Sequence, residues 1–304
     1  MTTATANFPE LLWPGIKKIY GDTYKQWDSK YDKYTDNVPS DKAFEKFQGL
    51  TGFRAAPAKG QGSATTFDDP LQGFQKEAVN VSYALGTTIT REMYDDDQYG
   101  KIRQAPKGLA QSFRRTQEIV TSDLLNSGFS TAATPQTAQD GLSIFNSAHL
   151  LVGGGTFRNV PATASDLVMT SVEQAYVDIS NFNDDRGYPM HALPKAWVVP
   201  TSDQFVAQKI LETQYAVGSA DNDVNVVSNK EMPVDLVVNP YLTDINAWFV
   251  KTDVENGLMY VDRLAPEPDR DNKFDTKSLQ FSVYGRFTTV CADPRGAYGS
   301  AGSS

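Results

Sequence analysis

Residues 77–90 alternate between two kinds of side chain at almost every step, and this is the strongest local pattern in the sequence. One set consists of Val79, Val81, Tyr83, Leu85, Thr87 and Ile89, and the intervening set of Asn80, Ser82, Ala84, Gly86 and Thr88. A period of two predicts a β-strand with one covered face and one polar face. We expect this strand to be half of a long, projecting β-hairpin, whose first strand lies near Ala64–Phe67.

A breaker-rich segment, residues 51–76, leads into that strand and is predicted to be a loop. Its breakers are Gly52, Pro57, Gly60, Gly62, Pro70 and Gly73. Loops of this length are uncommon in compact domains and usually carry function. Residues 54–76 are mostly small and polar, so the apolar area they bury cannot offset their ordering entropy. We expect them to be mobile alone and ordered only against a partner chain.

A long helix is predicted from about residue 91 to 126, ending at Gly128. Its apolar stripe is Ile102, Ala105, Leu109, Phe113, Val120 and Leu124. Pro106 is expected to kink or restart the helix, because proline lacks a backbone N–H. Arg103, Lys107 and Arg114 fall together on a different face.

Aromatic residues mark the first 50 positions. After Trp13, a stripe of Tyr20, Tyr24, Trp27, Tyr31 and Tyr34 recurs every three or four residues, which is typical of one helix face. Two interpretations stay open. The stripe packs on the chain's own core, or it forms an arm across a neighbouring subunit, where the apolar body and polar tip of Tyr and Trp suit an interface.

From residue 166 the pattern is mixed, which makes the predicted fold class α+β. Helices are expected to begin near Thr170 and Thr201, and strands are expected at Ala196–Val199, 234–238, 247–250, 258–261 and 279–287. The tail from Gly296 is rich in Gly, Ser and Ala, and we expect it to be disordered.

Composition excludes several classes of protein. The 304 residues hold 28 Lys and Arg against 37 Asp and Glu, a net charge of −9, whereas coating nucleic acid needs clustered cations. Cys291 is the single cysteine, so an intramolecular disulfide is impossible. The sequence shows neither a signal peptide nor an apolar run long enough to cross a bilayer, and we expect a cytosolic protein.

Residues for chemistry are sparse, and we predict no catalytic, cofactor-binding or metal site. The two histidines, His149 and His191, have no accompanying ligand or nucleophile pattern. Gly153–Thr156 lacks the spacing and lysine of a phosphate-binding loop. Asp95–Asp97 could hold a divalent cation, but acidic residues are also favoured at a helix start by the macrodipole.

Three stretches carry a resemblance to a known family: Asp140–His149 followed by the glycine-rich turn, Leu193–Ile210, and the Phe281–Phe287 strand before Asp293-Pro294. With the order of elements, they resemble the Hong Kong 97-type major capsid proteins of tailed bacteriophages, and most closely the Mu-like major head subunits. The resemblance implies an N-terminal arm at 1–50, an extended hairpin loop at 51–90 and a peripheral domain at 91–165 with a spine helix at 91–128. An axial domain at 166–265 and a return to the peripheral domain with a flexible tail at 266–304 would follow.

The function implied by the resemblance is structural. Hexamers and pentamers of the chain would form an icosahedral head shell that encloses double-stranded DNA without sequence-specific binding or membrane contact. Scaffolding, portal and decoration proteins would be partners, and assembly would take place in the host bacterial cytoplasm. The alternatives are an encapsulin-like nanocompartment shell and, from another class, a cytosolic α/β hydrolase.

Contacts between subunits are hypothesised at two places. The arm would contribute Trp13, Tyr20, Tyr24 and Trp27. On the loop, Asp68 and Asp69 would face the basic residues Arg103, Lys107 and Arg114 of a neighbour's spine helix.

Overall fold

The computed structural model describes residues 9–90, 104–131, 137–213, 215, 224–225, 227–228, 234–273, 275 and 278–303. Its helices are α1 (Pro9–Gln26), α2 (Gln104–Asn126), α3 (Met169–Ser180) and α4 (Gln204–Glu212). Its strands are β1 (Asp36–Pro39), β2 (Phe44–Leu50), β3 (Gln72–Val79), β4 (Val81–Ile89), β5 (His149–Leu150), β6 (Thr156–Phe157), β7 (Pro194–Val199), β8 (Asp235–Val238), β9 (Trp248–Thr252), β10 (Leu258–Lys273), β11 (Ser278–Cys291) and β12 (Ala297–Ser300).

One sheet has the strand order β1-β10-β11-β4 and carries α2 on one face. Strand β11 is antiparallel to both of its neighbours, β10 and β4, whereas the short β1 runs parallel to β10. The rings of Tyr83 and Tyr260 stack on Phe287 with centroids 4.4 and 5.3 Å away, and Phe113 of α2 meets Phe287 edge-on. The predicted last strand is confirmed and longer than expected, and it forms the centre of this layer.

The alternating segment is two strands rather than one. Strand β3 ends at Val79 and pairs with β2, while β4 begins at Val81 and pairs with β11. The first strand of the hairpin is therefore 44–50, and the prediction of a strand at Ala64–Phe67 is wrong, because those residues lie in the connecting loop. The alternation of side chains continues through Asn80, so it gives no sign that one strand ends and another begins there.

Asn80 forms that corner with its buried amide. Its Nδ2 donates to the hydroxyl of Ser40 at 3.1 Å and to the carbonyl of Lys42 at 3.0 Å, and its backbone N–H donates to the carbonyl of Ala43. These bonds join the hairpin to the segment after β1, so one side chain sets the direction in which the hairpin leaves the sheet.

The aromatic stripe near the N-terminus packs largely on the chain's own core. Helix α1 lies along α2, and Tyr20, Tyr31 and Tyr34 are buried in the main core cluster. Residues 1–50 are thus not one arm, because β1 joins the sheet and β2 belongs to the hairpin. The predicted packing on the chain's own core is confirmed for these three tyrosines, but the prediction of one helix is wrong, because α1 ends at Gln26 and Tyr31 and Tyr34 lie in and just after a short 3-10 turn.

Helix α2 is the described part of the predicted spine helix. Pro106 lies in the first turn of the described helix, where a missing N–H costs none of the described intrahelical bonds, so the predicted kink or restart stays a prediction. Residues 91–103, with Asp95–Asp97 and Arg103, lie outside the described residues.

A second sheet has the order β12-β9-β7-β8, with the indole rings of Trp197 and Trp248 stacked at 5.3 Å. The prediction of a flexible tail is wrong, because residues 297–300 form strand β12 and Tyr298 is fully buried. Its hydroxyl donates to Asp178 at 3.0 Å. The small residues are needed for close packing: a Cβ on Gly299 would lie 2.9 Å from the rings of Phe145 and Phe249. The boundaries of the predicted domains stay a prediction.

Between β11 and β12 the chain crosses from one sheet to the other, and Arg295 anchors the crossing. Its buried guanidinium contacts Asp293 at 3.0 Å and Asp185 at 2.9 Å, and it lies over the ring of Phe157. Nearby, the fully buried amide of Asn159 donates to the carbonyls of Ile144, Pro294 and Ala297.

We predict that Arg295→Met lowers the free energy of unfolding by about 3–5 kcal/mol at pH 7, because two buried carboxylates lose their counter-charge. Burial raises the pKa of Asp293 even beside Arg295, and the substitution raises it further. A folded state with a raised carboxyl pKa binds protons more readily than the unfolded chain, so the deficit shrinks from pH 7 to pH 5. Denaturant unfolding at both pH values measures this. The control Arg158→Met removes a more exposed pair and should cost about 1 kcal/mol or less. A deficit independent of pH would contradict the prediction.

We also predict that Asn80→Ala costs about 1–3 kcal/mol, because the carbonyl and hydroxyl it contacts stay buried without their donor. Urea unfolding measures the loss. Ser82→Ala, two residues away, removes an exposed hydroxyl in contact with Tyr284 and should change stability by about 0.5 kcal/mol or less. Equal losses in the two variants would show that Asn80 does not anchor the corner.

Candidate assembly surface

The two most chemically suggestive side chains form a buried structural pair. The Asp140 carboxylate lies 2.8 Å from Nδ1 of His149 and accepts hydrogen bonds from the backbone amides of Leu142 and Leu150. Burial alone would raise the pKa of Asp140, but the bonds from His149 and the amides outweigh it and hold that pKa below its ordinary value. Both side chains are almost fully buried, so they brace the turn at 140–150 and offer no opening to a substrate.

Among the described residues, no group of three or more His, Cys, Asp or Glu side chains is arranged to hold a metal ion. The thiol of Cys291 is buried, and burial raises its pKa, which keeps it protonated and unreactive. None of the helices in the described ranges has the length and apolar character that a membrane span requires.

The hairpin of β2 and β3, with its connecting loop 51–71, is the prominent surface feature. Its closing bonds run from the Thr51 N–H to the Leu71 carbonyl and from the Leu71 N–H to the Thr51 hydroxyl. Around the loop the apolar side chains stay exposed, with Leu50 at 71%, Phe53 at 65%, Phe67 at 86% and Leu71 at 52%. A two-stranded ribbon has no core of its own, so these side chains gain burial only against another surface.

At the loop, Asp68 lies between two arginines. Its carboxylate accepts from the backbone N–H of Arg54 at 2.9 Å and from Arg54 Nε at 3.1 Å, and it contacts the Arg186 guanidinium at 3.2 Å. The neighbouring Asp69 is exposed, and its backbone carbonyl accepts a bond from Arg186 at 2.8 Å. The Arg54 amide first, and then the two guanidinium groups, hold the pKa of Asp68 below its ordinary value.

The basic residues predicted to face Asp68 lie elsewhere within the chain. Arg114 places its guanidinium 3.7 Å over the ring of Tyr24 and donates from Nε to the Tyr24 carbonyl at 3.2 Å. Tyr24 in turn donates to Gln117, which bonds Tyr260. Arg114 therefore fastens α1 to α2, while Lys107 stays exposed on α2.

The structure does not bring Asp68 and Arg114 together within the subunit, and the pairing across subunits stays a prediction. Arg103 lies outside the described residues, as does the side chain of Trp13. Trp27 is half-buried just after α1, and an intersubunit contact by it or by Tyr20 and Tyr24 also stays a prediction.

Sequence reasoning missed Arg186 altogether. It lies in a turn at 183–189 that is closed by the Asp184 carboxylate, which accepts from the backbone N–H groups of Arg186 and Tyr188. Gly187 adopts a positive φ of 86° there. The local signal was present, because an aspartate followed three residues later by glycine is typical of a tight turn. Nothing in the sequence tied that turn to a loop more than a hundred positions earlier.

A second exposed apolar group lies on the segments that follow β7 and precede β9, the two interior strands of the second sheet. Phe205 and Val206 at the start of α4 and Ile245 in the turn before β9 are all exposed. The Ser202 hydroxyl donates to the Ile245 carbonyl at 2.7 Å, which holds the two segments together. The subunit thus carries exposed apolar groups both on its hairpin and beside its second sheet.

Comparisons with known proteins agree with this architecture. Similar solved structures include the virus-like particle from Pyrococcus furiosus (9% identity, TM-score 0.57, covering 94% of this chain and 97% of that chain) and the capsid of the native GTA particle (12%, 0.58, 90% and 90%). A procapsid subunit of bacteriophage JBD30 is 14% identical with a TM-score of 0.55, covering 99% of this chain and 77% of that chain. The comparison with curated proteins found no match.

These likenesses show that the fold is of the Hong Kong 97 type, as the sequence predicted. The family model described as "Phage capsid protein" matches residues 75–300, which include α2, the whole second sheet and every strand of the first sheet except β1. That match covers most of the sequence, and the chain therefore belongs to the phage capsid protein family.

Proposed function

We propose that this chain is the major subunit of an icosahedral phage head, a structural protein without catalysis that closes into a shell around double-stranded DNA. The observation that carries the proposal is the hairpin: near its base Phe47 and Ala78 pack on the first sheet, but the apolar side chains at its loop end, Leu50, Phe53, Phe67 and Leu71, are exposed in the single subunit. A surface of this kind is covered when it docks on another copy.

Shell geometry follows from how such a hairpin must bind. It docks on a surface other than itself, so each contact is heterologous, and repeated heterologous contacts close into rings. Hexameric and pentameric rings of one chain then generate a closed shell. The family membership and the capsid fold support this step, as do the exposed apolar side chains Phe205 and Ile245, which would lie between subunits of a ring.

Finer features of the proposal come from the sequence resemblance. They are the Mu-like subgroup, scaffolding, portal and decoration partners, and assembly in the host cytoplasm. The net charge of −9 suits a container wall that does not adhere to its packaged DNA.

We predict that the double substitution Leu50→Gln and Leu71→Gln leaves the stability of the subunit within about 0.5 kcal/mol, because both side chains are exposed in it. Assembly should fail or need at least about tenfold more protein, because burying a leucine contributes about 1.5–3 kcal/mol. Light scattering and negative-stain microscopy measure this, with Ser63→Ala at the same loop as the control. Normal shells from the double variant would refute the role of the hairpin.

A second prediction concerns the loop as a whole. Residues 72–76 belong to β3, so the removable segment is 52–70 rather than 54–76. Replacing residues 52–70 by a four-residue Gly-Ser turn keeps the closing bonds between Thr51 and Leu71, and we expect a folded protein with a cooperative melt that forms no stable shells. Calorimetry and electron microscopy test the two halves separately. A chain that no longer folds would place the loop in the core instead.

A further inference from the structure

The structure assigns to Arg186 and Asp68 a latch that holds the hairpin loop against its own subunit and must open before the hairpin docks on a neighbour. The inference rests on the proposed function, since it describes what keeps a free subunit from assembling too early. The latch consists of Arg54, Asp68 and the Asp69 carbonyl on the loop and Arg186 on the turn at 183–189.

Arg186 makes two charge-assisted contacts with the loop, one through each terminal nitrogen of its guanidinium. One guanidinium nitrogen of Arg186 lies 3.2 Å from the Asp68 carboxylate, and the other donates to the Asp69 carbonyl at 2.8 Å. Arg54 pins the same carboxylate from within the loop through its backbone N–H and its Nε. Asp68 and Arg186 side chains are each only 17% exposed, so the pair is partly shielded from water.

The turn that carries Arg186 is fixed to the core. Asp185 accepts a bond from the buried Arg295, and its carbonyl accepts the N–H of Gly153 at 2.8 Å. Asp184 closes the turn from inside. A loop bonded to Arg186 is therefore held to the rigid part of the subunit.

The loop itself is held by little else. Among the described residues, the hydrogen bonds and ion pairs that join residues 52–70 to the chain outside the hairpin all involve Arg186. No regular structure spans 52–70, and its phenylalanines point into solvent. Opening one contact thus frees the whole loop.

The latch is also built to open. Part of each charged group reaches water, so salt weakens the contact, although less than it would weaken a fully exposed pair. Nε of Arg186 is buried and has no hydrogen-bond partner among the described residues, which makes the closed state costlier than a fully bonded guanidinium would be. A closed state of modest stability yields when a neighbour covers the exposed apolar side chains of the loop.

The test uses the full chain and the variants Arg186→Gln and Asp68→Asn, with Asp41→Asn as the control. Asp41 is wholly exposed and pairs with the half-buried Arg263 near the base of the hairpin at 3.6 Å, and its substitution changes the net charge as Asp68→Asn does. In free subunits below the assembly concentration, hydrogen exchange at residues 52–70 should rise about three- to tenfold in both latch variants, as for loss of one charge-assisted contact. The control should change it less than about twofold.

Assembly kinetics give the second readout. Both latch variants should nucleate shells faster than the natural chain, and added salt should accelerate the natural chain more than either variant, because salt opens a latch that the variants lack. Unchanged exchange in both variants would overturn the latch. Faster exchange with slower assembly would also overturn it, by showing that the contact belongs to the finished shell.

The two ideas can fail separately. If the natural chain forms no shells under any condition, the proposed function is wrong, and so is the role of the latch in assembly. The exchange result still decides whether the closed contact exists. Should Arg186→Gln fail to fold, Asp68→Asn opens the same contact from the loop, where no core packing is disturbed.

Discussion

A buried positive charge at the crossing between the two sheets organises the parts of this subunit that matter for assembly. Arg295 contacts Asp293 on its own crossing segment and Asp185 on the turn at 183–189, so one guanidinium fixes these two segments to each other. The crossing allows no slack, because Gly257 and Gly296 approach so closely that a Cβ on Gly296 would lie 2.1 Å from the Cα of Gly257. The geometry of both sheets, and of everything attached to the turn, depends on this junction.

The hairpin contrasts with that rigid junction in the way it is held. Around Arg295 and Asn159, buried polar groups are matched to several partners each, which makes the arrangement unique but costly to break. At the hairpin, β2 and β3 are held to each other by their ladder, and Asn80 fixes only their direction. A shell subunit gains from such a division, since its body must keep its shape while its connecting arm adapts to different neighbours.

The sequence predicted the elements that a local residue pattern defines and missed the features that depend on contacts between residues far apart in the sequence. The spine helix, strands β7, β8 and β9 of the second sheet and the last long strand follow from local patterns, and the fold class followed from their order. The corner at Asn80 was invisible because alternation continues through it, although its amide bonds residues about forty positions away. The tail was misread because Gly299 and Ser300 resemble linker residues, whereas their smallness lets β12 pack under Phe145 and Phe249. The sequence correctly placed Arg114 on the spine helix, but its stacking on Tyr24 could not be predicted without knowing where α1 lies.

Polar and apolar contacts have different roles in the loop, because they differ in strength, direction and response to salt. Apolar burial is strong and non-directional, so Phe53 and Phe67 can contribute affinity in any docked geometry. They cannot by themselves determine which partner is bound or when it is bound. Charged contacts are directional and weakened by salt, so Asp68 can hold the loop in one place and release it under changed conditions. Placing Asp68 directly after Phe67 puts the two kinds of contact on neighbouring residues. The Phe67 ring stays 86% exposed while Arg186 holds the adjacent carboxylate, so the proposed latch restricts where the ring can move and does not cover it. In the proposed latch, release of Asp68 therefore precedes docking of Phe67 on a neighbour.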